Sequence, residues 1–148
     1  MTEPKQIALY RHWCRANAIR YVLFKERSEV SPTPDKLTQT AELFSRILRL
    51  EVFYALVYVV IEGYKELGCK YDKVDTLLEQ SEYVERLRRF RNAVFHYQDD
   101  LINQKMLEFV DTPDSENWLK NLNEAFQQFF LDTLPLKEQL VRMGWKNT

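Results

Sequence analysis

Val52-Phe53-Tyr54-Ala55-Leu56-Val57-Tyr58-Val59-Val60-Ile61 is apolar on every side. Wound at about 100° per residue, it leaves no polar face for solvent, which predicts a helix buried at the centre of the molecule. The run is too short to cross a bilayer, and Arg49, Glu51 and Glu62 stand at its edges. No membrane partner is therefore expected.

Working outward, the same helix should extend from Leu37 to about Leu67 and stop at Gly68, a residue suited to ending helices. Upstream, Ile7, Tyr10, Cys14, Ala18, Tyr21 and Lys25 recur at three- and four-residue steps and predict a helix from about Pro4 to Glu29. Ser31-Pro32-Thr33-Pro34-Asp35 should break it, since proline lacks the amide donor and disfavours helical geometry in its predecessor. Downstream, Lys70 to Asp75 reads as a loop, and Thr76-Leu77-Leu78-Glu79 has the spacing of a capping box opening a short helical turn. A further helix is expected from about Ser81 to Gln98. Asp111-Thr112-Pro113-Asp114 punctuates the chain, with Thr or Asp as cap and proline in the first turn. A last long helix presents Trp118, Leu119, Leu122, Phe126, Phe129 and Phe130 before Pro135, and a short tail helix should reach Gly144. With three glycines and no Asn-Gly or Asp-Gly dipeptide, strands and hairpins have little support. The expectation is an all-α, up-and-down bundle of four to five main helices forming one domain over residues 1–148.

Composition narrows the function. A chain of 148 residues can bury a core without disulfides, and an aromatic content of 14% supplies apolar surface beyond what a small interior needs, which a partner can cover. The net charge of −1 excludes binding to nucleic acid through bulk positive charge, so any RNA contact must be local. Cys14 and Cys69 form no CxxC or zinc pattern, and His12 and Cys14 point to different sides of a helix. No metal or cofactor is expected. The polar start Met1 to Gln6 is unlike a secretion signal, which makes a reduced cytoplasmic compartment the default.

Local positive charge is densest at Arg86, Arg88, Arg89 and Arg91, and one of the two histidines, His96, follows directly in Arg91-Asn92-Ala93-Val94-Phe95-His96. On a helical wheel Tyr83, Leu87, Phe90, Val94, Tyr97 and Leu101 share a stripe that should face the core. Arg88, Asn92, Phe95 and His96 lie on the opposite side, with Arg91 at the flank, from where its guanidinium can reach the histidine. An aromatic beside the histidine predicts a surface that meets something apolar as well as charged. Ion pairing of Arg86 and Arg89 with Glu82 and Glu85 is the plain structural alternative. Glu62 could face the same cleft, although snorkelling to the surface is the simpler expectation for it.

The Arg-Asn-x3-His pattern at 91–96 resembles the HEPN superfamily, whose signature is an arginine, usually followed by a polar residue, and a histidine after four to six intervening residues. The resemblance implies a helical bundle that dimerises with its motifs facing, and in active members metal-independent RNA cleavage. It assigns Arg91, His96 and Asn92 as catalytic residues, with Arg88, Phe95 and Tyr97 available for binding. A histidine exchanges protons near neutral pH, and an arginine holds the phosphate oxygens as charge builds. The product would be a 2′,3′-cyclic phosphate, and two copies of His96 can divide the base and acid duties. A toxin or phage-defence role with an antitoxin protein as partner is implied as well. In one branch a tyrosine two residues after the histidine is modified with nucleotide; here that place is Gln98, and Tyr97 stands one residue early. A non-catalytic helical interaction module with the same fold and dimer is the alternative.

Overall fold

A computed structural model describes residues 3–25, 35–100, 103–142 and 144. Among these it contains seven helices and no strand: α1 (Glu3–Lys25), α2 (Lys36–Glu66), α3 (Asp72–Leu78), α4 (Ser81–Phe95), α5 (Gln104–Val110), α6 (Ser115–Thr133) and α7 (Leu136–Arg142). The all-α bundle expected from the central apolar run is the observed architecture. Residues 26–34, and with them the end of the first helix and its proline break, lie outside the described residues, as does Leu101.

α2 is delimited by the two devices its sequence carries. Asp35 accepts the Thr38 N–H at 2.7 Å, satisfying one of the amides that a helix start leaves free. At the other end Gly68 takes φ 64°, so that its N–H reaches the Lys65 carbonyl and the Cys69 N–H reaches that of Tyr64. Between them Phe53, Tyr54, Ala55, Val57, Tyr58, Val60 and Ile61 are buried, so the run that lacks a polar face forms the centre of the core. At Gly63 a Cβ would lie only 2.7 Å from the Leu9 side chain, so the seating of Leu9 of α1 on α2 there depends on a residue without one.

The segment after Gly68 departs from expectation. The Lys70 to Asp75 loop and the capping box at Thr76 are replaced by α3, which already begins at Asp72 and holds Thr76 in its interior. Asp75 causes the shift. Its carboxylate accepts the Tyr71 N–H at 3.2 Å and the Tyr64 hydroxyl at 2.8 Å, tying the start of α3 to the end of α2, while Val74 is fully buried. Burial, followed by this bond to Asp75, raises the pKa of the Tyr64 phenol well above its ordinary value. Glu79 ends α3 instead of opening a helix. α5 was not anticipated; Asn103 caps it by accepting the Lys105 N–H, and Phe109 anchors it, wholly buried against the rings of Tyr54, Phe90 and Trp118. Before α6, Asp114 adopts φ 65° and Pro113 precedes the helix instead of entering its first turn.

α1 runs antiparallel to α6. Gln6 donates to Thr133 at 2.6 Å, Tyr10 and Trp13 meet Phe130 at ring separations of 5.3 and 5.9 Å, and Asn17 meets Asn123. The two buried asparagines exchange amide bonds of 3.1 and 2.9 Å, and Asn17 also donates to the Trp13 carbonyl. Each satisfies the other in a place where an unpaired amide is costly. Asn17→Ala should therefore destabilise the fold by about 1 to 3 kcal/mol, because Asn123 stays buried without its partner. A urea midpoint within error of the parent would contradict that account. No helix among the described residues is long and apolar enough to cross a membrane.

Candidate functional site

α4 carries the arginines and presents Val84, Leu87, Phe90 and Ala93 to the core. Tyr83 and Val94 pack at the margin of this stripe, Tyr83 stacking on Trp118 at 5.2 Å. The first part of the wheel expectation thus holds. Its last part does not, because the helix ends at Phe95 and His96 turns into extended backbone at φ −110°, ψ 145°.

The chain leaves the helix where side chains compete for its carbonyls. Gln98 donates its amide to the His96 carbonyl at 3.2 Å, and Asn103 donates to Gln98 at 2.7 Å, so polar groups downstream take over the bonding that another helical turn would supply. Two corrections follow. Tyr97 is not on the core stripe but 90% exposed, and His96 does not share a helical face with Asn92. His96 and Phe95 are both exposed, so the aromatic beside the histidine is open to a partner as expected.

Arg91 is the best-held of the motif residues. Its Nη2 lies 2.6 Å from Glu62 Oε2, its Nη1 donates to Asn92 Oδ1 at 2.8 Å, and its guanidinium carbon stands 5.8 Å from the centre of the Tyr58 ring. Its Nε is buried with no hydrogen-bond partner among the described residues. The guanidinium is therefore directed to α2, and Asn92 uses its side-chain oxygen on Arg91. Glu62 does face the motif, the less simple of the two expectations for it. Its signal in the sequence was its place one turn beyond Tyr58 at the end of the buried run.

The remaining arginines are engaged too. Arg88 forms a two-pronged pair with Glu85, at 2.9 and 2.6 Å, which holds the Glu85 carboxyl below its ordinary range. Arg86 pairs with Glu82 at 2.7 Å, as the plain alternative anticipated, and also donates to Thr112. Arg89 reaches Glu108 on α5 at 2.7 Å instead of a neighbour on its own helix. No family model, curated protein or solved structure matches this chain. The chemistry must be argued from these residues alone.

Chemically, the edge where α4 ends offers three things: a fixed cation with part of its donor set committed, an exposed imidazole five residues further along the chain, and an exposed aromatic between them in sequence. Tyr58 lines the base of the cation, its phenol pKa raised mainly by burial and then by Glu62. Such an arrangement can receive an anion and exchange a proton with it.

Proposed function

We propose that this edge is the active site of a metal-independent endoribonuclease of the HEPN type, acting as a homodimer with a composite Arg/His cleft. The reading is supported above all by the fixing of Arg91 through Glu62, Asn92 and Tyr58, with an exposed His96 five residues further along the chain. A guanidinium held before substrate arrives loses little freedom when it meets a phosphate. His96 of one copy removes the 2′-hydroxyl proton, the 2′-oxygen attacks phosphorus, and His96 of the other copy protonates the departing 5′-oxygen. The products are a 2′,3′-cyclic phosphate and a 5′-hydroxyl. A toxin or phage-defence role, restrained by an antitoxin protein, belongs to the same proposal.

The second reading, a non-catalytic interaction module, is favoured by one observation: Arg86, Arg88, Arg89 and Arg91 all already have a carboxylate. A phosphate must displace or share these partners.

Incubation of the pure protein with total RNA in chelator tests between the two. Arg91→Lys should lose most of the cleavage seen with the parent, since a point charge reproduces neither the fork nor the contact with Glu62 and Asn92. Cleavage that requires magnesium, or that is as efficient on DNA, refutes the mechanism. A well-folded protein that cuts no RNA assigns the chain to the interaction module.

A further inference from the structure

The first half of α2 leaves an unusual amount of apolar surface exposed for a helix of a small bundle. Its large apolar side chains point outward: Leu37 is 81% exposed, Leu43 59%, Phe44 51%, Leu48 55% and Ile47 44%. Of its polar residues, Lys36, Thr38, Gln39 and Thr40 are exposed, whereas Glu42, Ser45, Arg46 and Arg49 are half-exposed. These apolar groups are contiguous along four turns and amount to on the order of 600 Å² of apolar surface, at the upper limit for a patch that monomers leave in water and close to one side of a standard interface.

The order of residues on this face identifies what covers it. At about 100° per residue, Thr40 and Ile47 lie along its midline, with Lys36, Leu43 and Leu50 on one flank and Leu37, Phe44 and Glu51 on the other. The pattern is self-complementary under reversal. A two-fold axis between positions 43 and 44 sets Leu43 against its own mate, Phe44 against its own mate, and Thr40 against Ile47. It also brings Lys36 level with Glu51, the one cation and the one anion on the face, which are equidistant from that axis and opposite in sign.

We infer that a second copy of this chain seats on the outward face of α2, the two helices antiparallel about an axis between Leu43 and Phe44. Isologous pairing of this kind requires a surface to match itself, and here the opposite charges of Lys36 and Glu51 come level across the axis. Partial burial already raises the Glu51 carboxyl above its ordinary range, and Lys36 of the second copy supplies a counter-charge. The interface lies on α2 and depends neither on RNA cleavage nor on the α4 edge. Where the α4 edge also pairs, two different two-fold contacts build a larger assembly, so the readout is the loss of one association step.

Sedimentation across a concentration series tests it. The parent should self-associate, and Leu43→Glu with Phe44→Glu should remove the step while leaving the helical signal intact, since both side chains are exposed. Lys36→Glu and Glu51→Lys should each weaken association by about tenfold, because every reversal acts twice in a symmetric pair, and the double reversal should restore it to near the parent. A parent that stays monomeric at all concentrations overturns the inference, and so does unchanged association in the Leu43, Phe44 variant. A double reversal no better than the single ones overturns the register and the inference with it.

Discussion

His96→Ala should reduce RNA cleavage by about 10²- to 10⁴-fold, the range in which a positioned acid or base contributes to rate. The loss should fall on turnover, because the imidazole acts on protons in flight while Arg91 stays fixed by Glu62 and Asn92. Folding should be unaffected. His96 is exposed and follows the last turn of α4, contributing a backbone N–H to the Asn92 carbonyl that alanine supplies equally well. An unchanged melting temperature with abolished cleavage is the expected pair of results. Equal cleavage by parent and variant removes His96 from the chemistry and the ribonuclease proposal with it.

Phe126→Ala should have the largest effect on stability. The ring is completely buried, meeting Tyr64 edge-on at 5.6 Å and Phe130 at 6.4 Å. Removing it costs the transfer energy of the lost atoms and that of the cavity left behind, about 3 to 5 kcal/mol for an aromatic. That is a large part of the 5 to 15 kcal/mol or so by which a domain of this size is usually stable. Chemical denaturation measures the difference; a loss below about 1 kcal/mol would mean that the aromatic cluster around Tyr64 is not close-packed.

What was legible in the sequence depended on whether the deciding interaction is local. The centre of α2 could be read because ten successive residues without a polar face have one solution, and its far end because Gly68 acts on neighbouring amides. α3 could not, since the carboxylate that starts it, Asp75, is bound by a tyrosine eleven residues earlier as well as by the adjacent backbone. The end of α4 was misjudged by the length of a turn for the same reason. No glycine or proline marks it, and the groups that replace the helical bonding, Gln98 and Asn103, act from beyond it. At the candidate site, the bond between the adjacent Arg91 and Asn92 joins residues that the sequence already sets side by side. The partnership of Arg91 with Glu62 was not legible, because it joins residues 29 apart whose proximity is created only when α2 and α4 pack.

The paired amides of Asn17 and Asn123 carry a consequence for how α1 docks. Apolar contacts between helices tolerate sliding, because a leucine or phenylalanine shifted along a groove finds other carbon. A slip of one turn, about 5.4 Å, would part the two amides, leaving Asn17 only its bond to the Trp13 carbonyl within α1 and Asn123 buried without its partner. Only one alignment of α1 on α6 pairs them, so the two asparagines act as a check on registry.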